Sequence, residues 1–404
     1  MPTDHHPAAP RGIPPAGRFA LAAALCSSVG QTFFIGLFGG EFRAAFGLSD
    51  AAFGTLYSTA TLASGLLMFW IGGLADHVAL KRAALGVAVL LAAGAATVAG
   101  SATPLGFAVG LFLLRLAGQG LLGHLAVVAA GRFATARRGR ALAMASYGFI
   151  LGEALFPSIV ALALDSLGWR EVWWSLAVGA VLLVGPGLYA LGRPLVGDPS
   201  AHGPEETSAP PRVGRARLLV EPNFLRVLLI VLVPPVVVTA LFLHQAAIAE
   251  EQGWSLLLVG RGFMAFAACQ FLASFAAGRL IDRFGARPLL RVELLPLGLA
   301  LLGLGGLGPA VSMWAMFIGL GLTAGINTVL AAAVWVELYG TRQLGLVRGV
   351  FMALMVVSTA LGPIVLGLLL DAGVTLWAIG IAVMAWVVLV PPLATPGRQA
   401  LRHG

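Results

Sequence analysis

Three charged side chains interrupt long apolar stretches of the sequence: Arg115, Glu153 and Arg261. An ionisable group at bilayer depth is costly, so each is a candidate for function by default. Arg115 lies about 11 residues from one end of its stretch, and Glu153 lies 12 residues before Asp165 at the end of the next. At about 1.5 Å per helical residue both lie roughly 16–18 Å deep, so we predict a buried ion pair between them.

The predicted pair has two interpretations. Protonation of Glu153 would free Arg115 to bind an anion, which would couple anion binding to protons; alternatively, the pair is a static bridge that orients two helices. Arg261 could bind or attract an anionic substrate, or it could extend to the lipid headgroups. Further candidates for substrate binding or coupling are polar residues inside the apolar stretches: Gln31, Gln119, His244 and Asn327.

The sequence contains no motif for other kinds of chemistry. It lacks a Gly-x-x-x-x-Gly-Lys-Ser/Thr phosphate loop, which argues against an ATP-driven pump. It also lacks a cluster of His, Cys and carboxylate residues with metal-ligand spacing. The two cysteines, Cys26 and Cys269, both lie inside apolar stretches and do not form a disulfide framework. We therefore expect neither an enzyme nor a metal or other cofactor.

The elements that carry these residues must be membrane-spanning helices. The chain has 404 residues, of which 59% are hydrophobic and only 10% charged, with a mean hydropathy of +0.94. A soluble protein carries about 25% charged residues. We count about twelve apolar stretches, each near the roughly 20 residues that a membrane-spanning helix requires. The sequence therefore predicts an all-α polytopic protein with twelve transmembrane helices.

The basic residues are distributed unevenly. The net charge is +8, which could suggest a nucleic-acid partner. If the N-terminus is cytoplasmic, however, most Lys and Arg residues fall on cytoplasmic loops or helix ends, as the positive-inside rule requires. We therefore predict a multi-pass protein of the plasma (inner) membrane with both termini in the cytoplasm, and no nucleic-acid partner.

An internal repeat divides the chain in two. The turn at Gly72 and Asp76 recurs at Gly278 and Asp282, in both cases 206 residues later. The same offset relates other loop and helix positions, which indicates two parallel units of six helices. The predicted segments are a disordered tail over 1–18, a bundle over 19–191, a cytoplasmic linker over 192–222, a second bundle over 223–395 and a tail over 396–404.

The two turns resemble the signature of the major facilitator superfamily, Gly-x-Leu-Ala-Asp-Arg-x-Gly-Arg-Arg. The second copy matches at these positions: Gly278, Leu280, Asp282, Arg283, Gly285 and Arg287. The first copy departs from it at His77, Ala79 and Leu80. The resemblance covers essentially all of 19–395 and implies two pseudo-symmetric six-helix bundles that form a secondary active transporter.

The resemblance also implies a gate at the cytoplasmic edge. A carboxylate near a helix N-terminus is stabilised by the helix dipole. Asp76 is expected to meet the start of the eleventh span near Arg348, and Asp282 the start of the fifth span near Arg138 and Arg140. These contacts would latch the outward-open state; the alternative is a topological anchor without a gating role.

Two intramembrane arginines favour an anionic substrate. We therefore predict a monomeric, proton-coupled symporter of a small organic anion. A proton-coupled efflux antiporter of drugs or metabolites is the alternative, although Glu153 stands where antiporters of the family typically have proline. A membrane sensor that transports nothing is the alternative from another class.

Overall fold

The computed structural model describes residues 13–72, 78–134, 138–195, 214–340 and 343–396. Within these ranges, twelve helices are long and apolar enough to cross a membrane, which confirms the predicted all-α polytopic fold. The first six are α1 Pro15–Gly36, α2 Asp50–Ile71, α3 Leu80–Gly100, α4 Pro104–Arg132, α5 Gly139–Leu164 and α6 Trp169–Gly192. The second six are α7 Pro222–Leu243, α8 Leu256–Phe284, α9 Ala286–Gly306, α10 Pro309–Tyr339, α11 Leu344–Asp371 and α12 Leu376–Ala394.

Successive spans alternate in direction, so the bundle has two faces. We call these two faces the linker face and the distal face. The helices α1 and α7 begin at the linker face, and α6 and α12 end there. The predicted disordered tail reaches residue 18, whereas α1 begins at Pro15, whose fixed φ suits the first turn of a helix. Residues 1–12, 196–213 and 397–404 of the predicted tails and linker lie outside the described residues.

The internal repeat is visible in the way two helices begin. Gly47 and Gly253 adopt left-handed backbone conformations, with φ of +63° and +67°. Two residues later, Ser49 and Ser255 cap α2 and α8 by accepting a hydrogen bond from the backbone amide three positions on. Because glycine readily adopts a positive φ, the same Gly-x-Ser arrangement makes the same turn in both halves.

Three spans are irregular in their middle. In α1, a 3-10 turn at Ser28–Gly30 is followed by Gln31 in an extended conformation. In α4, Arg115–Leu122 is π-helical, a form that often marks functional sites. The break of α7 at Leu232 precedes Pro234 and Pro235, which lack backbone donors. By contrast, α11 continues as a helix through Pro363.

Candidate functional site

Arg115 lies inside the N-terminal bundle, where its side chain is 3% exposed. Its Nε donates to the hydroxyl of Thr61 at 3.0 Å and its Nη1 to the carbonyl of Gly30 at 2.9 Å. The guanidinium also lies over the ring of Tyr57, 4.9 Å from its centroid. The break in α1 positions the Gly30 carbonyl for this bond. Arg115 therefore connects α4 to α1 and α2 through neutral partners.

The predicted ion pair between Arg115 and Glu153 is not formed among the described residues, and this prediction was wrong. Glu153 lies on α5, which packs against α1 so closely that a Cβ at Gly152 would lie 1.9 Å from Oγ of Ser28. Its Oε2 is buried and has no hydrogen-bond partner in the described part of the chain. Equal depth in the membrane did not bring the two groups together, because Arg115 turns towards α1 and α2.

A recess of about 310 Å³ lies between α7, α10 and α11. Its polar lining consists of Asn327 and Thr328 on α10 and Arg348 on α11. The remaining lining is apolar and consists of Pro234, Pro235, Val238, Ala324, Ala331, Ala332, Phe351, Met352 and Met355. Arg348 is near the start of α11, whereas Asn327 is twelve residues before the end of α10. The recess therefore runs from near the linker face to about the middle of the bundle.

The other predicted binding residues do not gather around one point. Gln31 is half-buried at the break of α1, and Gln119 is exposed on the π-helical part of α4. Arg261 is exposed on α8, and it contacts neither the recess nor Arg115 among the contacts that the structure describes. Of the predicted binding residues, Asn327 is the one that lines the recess.

His244 joins the two halves at the distal face. Its side chain is buried; Nδ1 lies 3.3 Å from Oδ1 of Asp50 on α2, and Nε2 lies 2.9 Å from the carbonyl oxygen of Pro363 on α11. Because both neighbours are acceptors, only the protonated imidazolium can donate to both of them at once. His244 is therefore part of a contact between bundles.

Asp371 strengthens this contact from the end of α11. Its two carboxylate oxygens accept hydrogen bonds from the backbone amides of Asp50 and Ala51, each at 3.0 Å. A carboxylate at a helix N-terminus satisfies free amides and interacts favourably with the dipole. Arg43 lies 3.1 Å from Asp50 and 3.7 Å from Glu250, so charges of both signs line the distal contact.

The backbones of the two halves also meet at glycines on the distal side. A Cβ at Gly36 would lie 1.9 Å from the carbonyl oxygen of Phe242, one at Gly54 would lie 2.5 Å from that of Pro363, and one at Gly367 would lie 2.6 Å from that of Asp50. Together with the polar contacts, this approach closes the distal face in this conformation.

We expect Asp371→Asn to weaken closure of the distal face. Asparagine can accept a hydrogen bond at only one side-chain oxygen. Its NH2 group would face the backbone amide of Asp50 or Ala51, which is also a donor. Because Asp371 is exposed, we expect a shift of only about 1–2 kcal/mol, or roughly 5- to 30-fold, towards a distal-open state. Spin labels at Ala45 and Glu251, exposed distal sites in the two halves, would report longer distances in a variant without Cys26 and Cys269.

Asp165 provides the matched control for Asp371. It occupies the corresponding position at the end of α5, 206 residues earlier, and is exposed. Asp165→Asn should leave the distances between the labels unchanged. Equal effects of the two substitutions would contradict a specific role of Asp371 in closure.

The predicted cytoplasmic gate lies at the linker face. Asp76 lies outside the described residues, Gly72 ends α2 and Gly278 is in the last third of α8. Asp282, Arg283 and Arg140 are exposed, and no ion pair links Asp282 to Arg140 among the residues that the structure describes. The predicted latch would form when the linker face closes, so it stays a prediction.

The second copy of the signature makes a specific turn at the linker face. Gly285 has φ of +80°, a conformation that favours glycine, and it separates α8 from α9. The next amide, that of Ala286, donates to Oε1 of Glu337 on α10 at 2.6 Å. Arg287 lies beside Glu337 in a neighbouring recess, with its Nε buried and unpartnered within the described chain. The signature therefore fixes the junction of α8, α9 and α10.

Sequence reasoning missed three acidic residues. Asp50 follows the helix cap Ser49, and Asp371 matches Asp165 in the repeat, but nothing in either pattern predicts a contact between halves. Glu293 lies near the end of its apolar stretch, where an acid is ordinarily exposed, so the sequence does not mark it as buried. In the structure it is completely buried.

Comparisons with known proteins give one family match and several proteins of similar fold. A family model described as Major Facilitator Superfamily matches residues 20–260 and 236–403. The solved structure of the nucleoside transporter NupG is 13% identical, with a TM-score of 0.70, and the match covers 96% of this chain and 100% of NupG. A bacterial homologue of the human lysosomal transporter Spinster, in an inward-facing and unoccupied conformation, is 15% identical with a TM-score of 0.67, and the match covers 95% and 94% of the two chains. A search of curated proteins found no match.

Proposed function

The chain belongs to the Major Facilitator Superfamily and is a multi-pass membrane transporter, and we propose that it carries a small organic anion together with protons by alternating access. The recess beside Arg348 is the observation that carries this proposal. Arg348 is the one charged residue among the described residues that line it. A solute with an apolar body and one anionic group would match such a lining.

The buried Arg115 supports an anionic substrate in a different way. Its described partners are a hydroxyl, a carbonyl and an aromatic ring, none of which carries a negative charge. A cation buried without a counter-ion is costly, and such groups in spans often belong to a transport pathway. Arg115 is proposed to attract the anion when movement of α1 against α4 exposes it.

The orientation follows from the basic residues. Lys81, Arg82, Arg193, Arg283 and Arg287 all lie at the linker face. The positive-inside rule then makes the linker face cytoplasmic in this proposal. The conformation with the closed distal face is accordingly inward-facing, and the recess is open to the cytoplasm. Transport through the plasma membrane requires the distal contacts to open and the predicted Asp76 and Asp282 latches to form.

Flux into proteoliposomes tests the proposal. We expect labelled monocarboxylates to accumulate when an inwardly directed proton gradient is imposed, and accumulation to collapse with a protonophore. A labelled nucleoside provides a comparison with the substrate class named for NupG. Proton-driven extrusion of a cationic dye without carboxylate uptake would instead favour the efflux antiporter, and no flux of any solute would favour the sensor.

Glu153→Gln is expected to uncouple solute movement from protons. The unpartnered Oε2 makes an ionised carboxylate unfavourable, so a proton held there can be exchanged as the bundles move. Glutamine imitates the neutral form permanently. We expect exchange of labelled for unlabelled solute to persist within about twofold, whereas accumulation driven by protons falls at least tenfold.

Glu251→Gln, an exposed distal residue, serves as the matched control for Glu153→Gln. It should leave both the exchange and the accumulation unchanged. Accumulation that responds normally to pH in Glu153→Gln would remove Glu153 from the coupling mechanism.

A further inference from the structure

The recess between α7, α10 and α11 carries its polar side chains at two depths. Arg348 lies four residues after Leu344, where α11 begins, and Thr328 lies eleven residues before Tyr339, where α10 ends. Leu344 and Tyr339 both lie at the linker face. At about 1.5 Å per residue, the backbones at Arg348 and Thr328 are therefore about 10 Å apart along the helices. Cβ atoms tilt towards the start of their own helix, and the two helices are antiparallel, so the side chains do not shorten this separation.

The charge of the recess is confined to the end near the linker face. Arg348 is the one charged residue among the described residues that line it. At the deeper end, the hydroxyl of Thr328 donates to the carbonyl of Ala324 at 2.8 Å. Nδ2 of Asn327 donates to the carbonyl of Val231 at 3.1 Å. Because the hydroxyl hydrogen of Thr328 is already used, its oxygen faces a solute as an acceptor. The deeper end is therefore polar, neutral and ready to accept a hydrogen bond.

The lining between the two ends is apolar. On α11, Phe351 and Met352 lie about one turn deeper than Arg348, and on α10, Ala331 lies about one turn closer to the linker face than Thr328. None of these three side chains can form an ordinary hydrogen bond, and the flexible Met352 adapts to different apolar shapes. A polar group in the middle of a solute would lose its hydration here without gaining a side-chain partner.

We infer that the recess selects an elongated monoanion with a neutral hydroxyl about 10 Å from its anionic group. The anionic group contacts Arg348, the apolar body lies along Met352 and Ala331, and the hydroxyl donates to Thr328. An extended chain covers about 3.3–3.6 Å for every three bonds, so roughly eight or nine bonds connect the two ends. A much shorter acid reaches only one end, and a second carboxylate meets no cation at the deeper end. The inference rests on the proposed function, because it specifies which anions the recess binds.

Competition against labelled octanoate, with the full chain in nanodiscs and empty nanodiscs as the blank, tests this selectivity. We expect 8-hydroxyoctanoate to bind about five- to tenfold more tightly than octanoate, whose methyl end leaves the Thr328 oxygen without a donor. The ether 8-methoxyoctanoate cannot donate, so it should bind no better than octanoate. We expect the short 4-hydroxybutanoate and the dianion octanedioate to bind at least about tenfold more weakly than 8-hydroxyoctanoate.

Thr328→Val tests whether this side chain recognises the hydroxyl. The preference for 8-hydroxyoctanoate over octanoate should fall to about twofold, because only the Asn327 amide then remains at the deeper end. Thr97→Val is the matched control. The hydroxyl of Thr97 on α3 also donates to a backbone carbonyl four residues earlier, that of Ala93, at 2.7 Å, but Thr97 is not part of the recess lining. Thr97→Val should keep the full preference.

The binding data separate failure of this inference from failure of the proposed function. Equal affinities for octanoate and 8-hydroxyoctanoate, both of them weakened by Arg348→Gln, would overturn the selectivity and leave an anion carrier in place. The same would follow if Thr328→Val and Thr97→Val had equal effects on the preference. Absence of binding by every carboxylate in the series would overturn the proposed function and, with it, the selectivity.

Discussion

Gly36→Ala is expected to reduce the transport rate by about two orders of magnitude. The added Cβ would lie 1.9 Å from the carbonyl oxygen of Phe242, whereas an ordinary contact begins at 3.4 Å. The two backbones would therefore have to separate by about 1.5 Å. Separation of this size breaks the neighbouring hydrogen bond from Gln245 to the Phe33 carbonyl, which is 2.6 Å long.

The expected cost concerns the closed distal face rather than the fold. The atoms nearest to the added carbon all belong to the C-terminal bundle, so packing within the N-terminal bundle stays intact. Overpacking costs about 1–3 kcal/mol, and loss of inter-bundle hydrogen bonds adds roughly 1 kcal/mol each. A total near 3 kcal/mol shifts the population of a two-state equilibrium by about 150-fold. The protein would then remain distal-open and could not release solute at the linker face.

Spin-label distances between Ala45 and Glu251 would separate this effect from unfolding. We expect long distances throughout the population in Gly36→Ala, with thermal unfolding close to that of the wild type. Gly86→Ala is the matched control, because no atom lies within 4 Å of an added Cβ at that site. Short distances between the two labels in Gly36→Ala would contradict the prediction, because the distal face would then close despite the added methyl group.

Arg348→Gln is expected to raise KM for the anion by about 10- to 100-fold. Hydrogen bonds to charged groups contribute about 1.5–3 kcal/mol, and the described lining of the recess offers no second cation to replace them. Arg348→Lys keeps the charge but loses the planar, two-pronged donor geometry, so we expect an intermediate KM.

Two comparisons make the prediction for Arg348 specific. Arg226→Gln removes an exposed arginine from α7 that does not line the recess, and it should leave KM within twofold of the wild type. If Arg348 served only as the partner of Asp76 in the predicted latch, its loss would change the turnover rate and leave KM unaltered. That result would contradict a role in solute binding.

The sequence by itself determined the architecture. Each span needs about 20 apolar residues, so hydropathy alone locates twelve helices. The offset between Gly278 and Gly72 identified the two halves, and the signature around Gly285 identified the family. The sequence also named Asn327 as a candidate binding residue, and in the structure this residue lies in the lining of the recess.

The tertiary structure decided which side chains meet. Depth along a helix follows from counting residues, but the direction of a side chain depends on rotation about the helix axis. For Arg115, the extended Gln31 and the π-helical stretch of α4 set that rotation, so the guanidinium meets Gly30 and Thr61 instead of Glu153.

The contacts between the halves were likewise beyond the sequence. Asp371 and Asp50 are 321 residues apart, and no local pattern of charge or hydropathy relates them. The same holds for Gly36 and Phe242, which meet only because two rigid bundles close at the distal face. Apolar length and repetition are properties of a single chain segment and can be read from it. A gate depends on the relative position of two bundles, and only their packing against each other specifies it.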